Sequence, residues 1–208
     1  MEELIRGYRR FRANRWLVER HNLENLARNG QQPHTLAIAC SDSRVAPEMI
    51  IDGSPGEIFS LRNIANLVPP YMPDGAFHGT SAAIEFAVRV LEVKRIAVFG
   101  HSSCGGVAAL MHGAPTNARD FVAPWVQIAE PARRRALAAY PHDRDAALRC
   151  CEIENVRVSL ENLESFPWVK SAHEAGKLQL LGFYFDVASG TLHHVETNQV
   201  LPIKENDA

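Results

Sequence analysis

The chain has 208 residues, and 46% of them are hydrophobic, which is enough for one substantial core. Its formal net charge of −2 provides no basic footprint for nucleic acid or for an anionic membrane, so neither partner is expected. The sequence contains no run of about 18 apolar residues, so no transmembrane helix is predicted. Residues 1–16 carry acids and arginines where a secretory signal needs an apolar core, and we therefore expect a cytoplasmic protein with reduced thiols.

The N-terminal part of the chain predicts a helical arm in front of a single domain over residues 1–208. Residues 1–29 are polar with large apolar side chains interspersed, which indicates one or two amphipathic helices. Gly30 and Pro33 break that pattern, and residues 34–208 are expected to form an α/β core.

Strand and helix patterns alternate through the first half of this core. Thr35–Cys40 is a nearly continuous apolar run, typical of a strand buried on both faces. Further strands are predicted over 57–61 and 95–100, with a helix over 79–92 between them. A glycine-rich turn and another helix, running through Met111, follow the third strand. This alternation predicts a mostly parallel central sheet flanked by helices.

The second half of the chain is predicted to be helical and to finish the sheet. Residues 117–164 have helical character, interrupted near Pro141, and carry few strand signals. Residues 178–187 and 191–195, joined by a Ser-Gly turn, predict a C-terminal antiparallel hairpin. The fold class expected from the whole chain is therefore α/β.

Three residues of metal-binding types, two cysteines and one histidine, lie at or just after the ends of two of the predicted strands. The sequence CSDSR begins at Cys40, and GHSSCGG at 100–106 contributes His101 and Cys104. Two thiolates and one imidazole suit zinc, and three protein ligands leave a position for water, as in catalytic sites. Because open α/β sheets build their sites at the C-terminal ends of parallel strands, we expect these residues to meet there. The pattern predicts a zinc hydrolase or lyase.

The flanking residues strengthen this interpretation, although each has an ordinary alternative. Asp42 and Arg44 lie beside the first ligand, where an acceptor and the cation that orients it would be needed. Alone they would be an exposed ion pair in a loop, just as a lone buried Cys is usually a small hydrophobe. Gly105 and Gly106 allow the backbone to approach a metal closely, and a helix starting there favours the Cys104 thiolate.

Five segments closely resemble the β-class carbonic anhydrases: CSDSR (40–44), PGEIF (55–59), RNIANLVPPY (62–71), GTSAAIEFAV (79–88) and GHSSCGG (100–106). The resemblance implies a carbonate dehydratase, which hydrates carbon dioxide reversibly to bicarbonate and a proton by attack of a zinc-bound hydroxide. It assigns Zn²⁺ to Cys40, His101 and Cys104. Asp42 would accept the hydrogen bond of the hydroxide, and Arg44 would hold Asp42.

The same resemblance suggests substrate-binding residues. Gln31 falls where plant-type members carry a glutamine that donates to a substrate oxygen. Phe59 and Ile64 match apolar pocket positions, and Gly105 is assigned to the pocket as well. Phe86 stands where these members usually have a tyrosine, so any role of that hydroxyl is in doubt.

Two further departures concern the proton route and inhibition. Val90 replaces a histidine that some plant-type members use as a proposed proton shuttle, which leaves the route of the proton open. One group of the family closes its site with bicarbonate, using a tryptophan three positions before the first zinc Cys. Ala37 stands there in this chain, so we expect the open-site, plant-type arrangement.

The family resemblance also implies self-association as a homodimer or tetramer, with N-terminal helices packing on the neighbour and the active-site cleft at the interface. An apolar stripe formed by Leu4, Tyr8 and Phe11 in the arm fits such a helix.

Three other functions share part of the pattern. Relatives of the family hydrolyse carbonyl sulfide or carbon disulfide with the same ligand set. A purely structural zinc site would need a fourth protein ligand. A nucleotide-binding domain could use the GHSSCGG turn for phosphate, but the chain lacks the P-loop lysine and the dinucleotide glycine spacing.

Overall fold

The computed structural model describes residues 1–204, so that 205–208, the end of the expected core, lie outside the described residues. Its strands are β1 (Thr35–Cys40), β2 (Ile58–Asn63), β3 (Arg95–His101), β4 (Gln179–Phe185), β5 (Leu192–Val195) and β6 (Val200–Pro202). Its α-helices are α1 (Glu2–Ala13), α2 (Arg15–Asn29), α3 (Pro47–Ile50), α4 (Gly79–Glu85), α5 (Gly105–His112), α6 (Val122–Val126), α7 (Glu130–Ala139), α8 (Arg144–Leu163) and α9 (Pro167–Glu174). No helix among these is both long and apolar enough to cross a membrane.

The six strands form one mixed sheet in the order β2-β1-β3-β4-β5-β6. The first four are mutually parallel, and β5 and β6 join antiparallel. The central strands β1 and β3 are buried almost throughout, as their continuous apolar runs predict. The predicted α/β class, helical arm and antiparallel C-terminal strands are therefore confirmed.

Three details differ from the expectations. Strand β2 begins one residue later than predicted, because the Glu57 carboxylate accepts the backbone N–H of Ser54 in the preceding turn, and it continues until Asn63 pairs with Cys40. Helical structure in the predicted stretch 117–164 starts only at Val122, whereas the interruption predicted near Pro141 is confirmed, because α7 ends at Ala139 and α8 starts with Asp143 as its N-cap. A third antiparallel strand, β6, follows the predicted hairpin, too short to give a pattern of its own.

Helix α8 packs directly on the sheet beneath the C-terminal ends of β3 and β4. A Cβ atom placed on Gly100 would lie 2.5 Å from Cγ2 of Val156, so only glycine permits this approach. The consequence is that one face of α8 lies against the ends of the strands, where the candidate site is built.

Candidate metal centre

The three predicted ligands lie together in the structure. Cys40 ends β1, His101 ends the neighbouring strand β3, and Cys104 precedes the first residue of α5. All three side chains are buried, and their ligand atoms lie within 4.8 Å of one another. The two Sγ atoms are 3.9 Å apart. Two sulfurs that each lie about 2.3 Å from a tetrahedral zinc ion are about 3.8 Å apart, so the pair has the spacing that zinc needs.

The His101 ring is oriented as a ligand. Its Nδ1 lies 2.9 Å from the carbonyl oxygen of Ser102, to which it donates, so the lone pair is on Nε2. Nε2 is buried and has no hydrogen-bond partner among residues 1–204. Because a buried nitrogen without a partner is costly, this orphaned acceptor beside two thiols indicates that the pocket suits a metal ion.

The thiols favour a positive charge between them. The hydrogen bond from the Cys104 thiol outweighs burial and lowers the pKa of Cys40 to about 4. The same contact and burial raise the pKa of Cys104. The backbone amides of Gly106 and Val107, at the start of α5, lower it by less. Burial disfavours the charged His101 ring, but the neighbouring Cys40 outweighs it and raises the pKa of His101. The two shifts favour a Cys104 thiol that donates to a Cys40 thiolate, and a metal ion bound here would displace that proton.

Asp42 and Arg44 form a two-pronged ion pair at the edge of this centre. Arg44 Nε donates to Oδ1 of Asp42 at 2.9 Å, and Nη2 donates to Oδ2 at 2.7 Å. The backbone N–H of Arg44 also donates to Oδ1 at 3.0 Å. These bonds hold the pKa of Asp42 well below its ordinary value. The carboxylate is therefore ionised and fixed, as expected for an orienting acceptor.

Arg62 holds the loop that carries Cys40 and Asp42, a role that was not predicted from the sequence. Its Nε donates to the carbonyl oxygen of Cys40 at 2.9 Å, and its Nη2 donates to that of Asp42 at 2.5 Å. Position gives a weak signal for this role, since Arg62 lies on β2 beside the strand that carries the first ligand.

A short turn, Ile64–Asn66, in which Ala65 and Asn66 are buried, passes beneath the start of α5. Ala65 and Asn66 have φ values of 62° and 48°, in the left-handed region. A Cβ on Gly106 would lie 2.8 Å from both the Cβ of Ala65 and the Cγ2 of Ile64, so this glycine is needed for the turn and helix to meet. Packing against this turn is thus a second reason for glycine at position 106, beside the close approach to a metal expected from the sequence.

Polar side chains of α8 hold this turn and the second ligand segment. Glu152 accepts the backbone N–H of Cys104 at 3.1 Å and the hydroxyl of Tyr184 at 2.8 Å. Asn155 donates to the carbonyl oxygen of Ala65 at 2.8 Å. The sequence signal for this role is a set of polar residues at helical spacing on one face of α8. The set consists of Glu152, Asn155, Ser159 and Asn162.

The predicted pocket residues fall into two groups. Ile64 and Gly105 adjoin the metal centre, in the turn and directly after Cys104. Gln31 is exposed and precedes β1, at the end opposite to Cys40, and the strand itself spans about 16 Å from Thr35 to Cys40.

Phe59 and Phe86 stack on each other, with ring centroids 5.9 Å apart. Phe59 pairs with Leu36 on β1. Leu36 lies four residues before Cys40, which is about 13 Å along the strand. One chain therefore does not bring Gln31, Phe59 or Phe86 to its own metal centre.

Comparisons with known proteins agree on one family. A family model described as carbonic anhydrase matches residues 35–192. The carbonic anhydrase of Pseudomonas aeruginosa is 40% identical over 92% of this chain and 86% of its own length. The solved structure of the β-carbonic anhydrase CcaA has a TM-score of 0.88 and 31% identity, covering 99% of this chain and 93% of that one.

A solved structure of the tetrameric β-carbonic anhydrases of Sordaria macrospora has a TM-score of 0.79 and 28% identity. It covers 96% of this chain, and the alignment spans 97% of that one. With the family model matching most of the chain and the fold shared throughout, this chain belongs to the β-class carbonic anhydrases.

Proposed function

We propose that this protein is a zinc-dependent carbonate dehydratase, which hydrates carbon dioxide reversibly to bicarbonate and a proton. The observation that carries the proposal is the buried set of Cys40, His101 and Cys104, with an unpartnered Nε2 facing two thiols 3.9 Å apart. A set of three ligands leaves one coordination position for water, which argues against a purely structural site.

The three proposed ligands would bind the metal through two kinds of donor atom, sulfur and nitrogen. Cys40 and Cys104 would supply thiolates that neutralise Zn²⁺, and His101 would supply a neutral imidazole, fixed by its bond to the Ser102 carbonyl. When bound, zinc lowers the pKa of its water so that a nucleophile is available near neutral pH. Two thiolates donate more electron density than imidazoles, so this water should be less acidic than in a three-histidine site.

Asp42 orients the nucleophile. Its ionised carboxylate can only accept hydrogen bonds, so a water proton would point at Asp42 and a lone pair toward the substrate carbon. Arg44 keeps Asp42 in this position and away from the metal, through the bonds at 2.9 and 2.7 Å. Because Asp42 and Arg44 are paired in this way, and Ala37 offers no donor for an inhibitory oxyanion, we propose that the site stays open.

We propose that the substrate pocket is completed by self-association into a homodimer or tetramer. Gln31, Phe59 and Phe86 do not reach the metal centre of their own chain, so they would line the pocket only where a second chain packs against the first. Exposed apolar side chains on α1 support this, since Leu4 is 80% and Tyr8 62% exposed. The Sordaria macrospora relatives, described as tetrameric, give further support.

We further propose a single domain over residues 1–208, with the arm 1–29 and the core 34–208, in the cytoplasm. Continuity of one sheet from β2 to β6 supports the single domain. The cysteines of the described residues are all free thiols, which reducing compartments maintain.

The test is a stopped-flow carbon dioxide hydration assay on protein whose metal content has been measured. We expect about one zinc per chain, fast hydration, and loss of both in Cys104→Ser. Zinc-loaded protein that does not hydrate carbon dioxide but releases sulfide from carbonyl sulfide would replace the proposed substrate. Full hydration by metal-free protein would refute the metal assignment.

A further inference from the structure

The peptide unit between Ser103 and Cys104 is held at both of its polar ends. Its carbonyl oxygen accepts from Nη2 of Arg44 at 3.1 Å, and its N–H donates to the carboxylate of Glu152 at 3.1 Å. Because a peptide unit is planar and rigid, fixing the N–H also fixes the direction of the carbonyl. Glu152 and the Asp42–Arg44 pair are therefore connected through one peptide plane.

The backbone at this point needs such support. Ser103 has a φ of 57°, in the left-handed region that residues other than glycine rarely adopt. A conformation of this kind persists only when the surrounding structure holds it in place. It directs the chain so that Sγ of Cys104 lies 3.9 Å from that of Cys40.

Glu152 is an unusual residue for a purely structural role. It is only 2% exposed, and none of the ion pairs within residues 1–204 involves it. Its carboxylate also accepts the hydroxyl of Tyr184 on β4 at 2.8 Å. A buried carboxylate without a cation costs stability compared with an apolar residue, so its presence points to a task at the metal centre.

We propose that Glu152 is a positioning residue for the metal centre, and this inference rests on the proposed zinc site. Through the Ser103–Cys104 peptide, Glu152 holds the Cys104 thiolate at ligand distance. Through the carbonyl of that peptide, it also presents the acceptor on which Arg44 docks, and so keeps Asp42 in place. Tyr184 in turn holds the Glu152 carboxylate.

The test compares three variants of the full chain. Glu152→Gln replaces a charged acceptor by a weaker one that must also find an acceptor for its amide N–H. Tyr184→Phe leaves the carboxylate in place and removes only its second hydrogen bond. Ser159→Ala is the matched control, since Ser159 lies fully buried on α8 and bonds to the backbone of Asn66 and Val68 but not to the ligand segments.

The readouts are Co²⁺ and Zn²⁺ affinity by competition with a chromogenic chelator, and the thiolate-to-metal absorption of the Co²⁺ protein. We expect Glu152→Gln to weaken metal binding by about 10- to 100-fold and to alter the Co²⁺ spectrum. Tyr184→Phe should change both in the same direction by a smaller factor. Ser159→Ala should keep the wild-type spectrum and affinity even if it melts at a lower temperature.

The outcomes separate this inference from the proposed zinc site. Wild-type protein that binds neither metal at Cys40, His101 and Cys104 would overturn both. Normal metal binding by the wild type, together with unchanged affinity and spectrum in Glu152→Gln, would overturn only the positioning role. If Glu152→Gln does not fold, Tyr184→Phe decides, because wild-type affinity and spectrum in that variant would refute the proposal.

Discussion

Replacing Asp42 by Asn tests the orienting role of this carboxylate directly. Oδ1 receives two N–H bonds from Arg44 and Oδ2 receives a third from Nη2 at 2.7 Å. An Asn oxygen can keep the first two, but its amide NH₂ must then face the donor Nη2, so one charge-assisted bond is lost. A hydrogen bond to a charged group contributes about 1.5–3 kcal/mol to stability, so its loss would shift the equilibrium between the oriented and the displaced side chain by roughly 10- to 150-fold.

The same substitution presents a donor where the attacking water needs an acceptor, so we expect kcat to fall by about 10²-fold or more. Zinc content should not change, since Asp42 is not a ligand. Stopped-flow hydration with parallel metal analysis measures both quantities. Asp143→Asn is the matched control, because Asp143 only caps α8 and Asn caps helices equally well. Wild-type kcat in fully zinc-loaded Asp42→Asn would show that the pair is an ordinary ion pair.

Four further predictions follow from the structure. Cys40→Ala and His101→Ala should each lose zinc and hydration activity together, and metal-replete activity in either would contradict the ligand assignment. Gly106→Ala should lower stability by about 1–3 kcal/mol in thermal denaturation, because its Cβ would meet Ala65 and Ile64 at 2.8 Å. Gly105→Ala is the control: its Cβ has nothing within 4 Å, so equal destabilisation in both would refute the packing argument. Since the lowered pKa of Asp42 keeps the pair ionised across the neutral range, its stabilising contribution is lost only in acid, as pH falls through that lowered pKa. Hydration near neutral pH should then follow a single ionisation, whereas a steep cooperative loss that bicarbonate deepens would reveal a closing site. Sedimentation velocity should find dimers or tetramers at micromolar concentration, and an active, stable monomer would contradict the proposed assembly.

The central strands and the metal ligands could be predicted from the sequence because their signals are local. Thr35–Cys40 forms a strand with the predicted bounds, since its apolar run suits burial on both faces and a polar loop ends it. His101 and Cys104 follow a second such run. Parallel strands that are neighbours in a sheet place their C-terminal ends together, so residue types and position were sufficient to bring these ligands into one group.

The residues that hold the metal centre from α8, Glu152 and Asn155, could not be predicted in this way, because their partners are distant in sequence. Glu152 reaches Cys104 across 48 residues of sequence, and Asn155 reaches Ala65 across 90. Such contacts depend on α8 lying against the sheet, which requires the small residue Gly100 under Val156. Their polar spacing along α8 resembles that of an exposed helix face until the packing is known.

Apolar runs and adjacent motifs act within a few residues of chain, so the sequence was sufficient to predict the sheet core, the group of Cys40, His101 and Cys104, and the Asp42–Arg44 pair. The contacts of Arg62 and Glu152 with the ligand segments follow only from the tertiary structure, because their hydrogen-bond partners lie on segments that are distant in sequence. The tertiary structure also places Gln31, Phe59 and Phe86 apart from the metal centre of their own chain, because they lie toward the opposite end of the strands from Cys40.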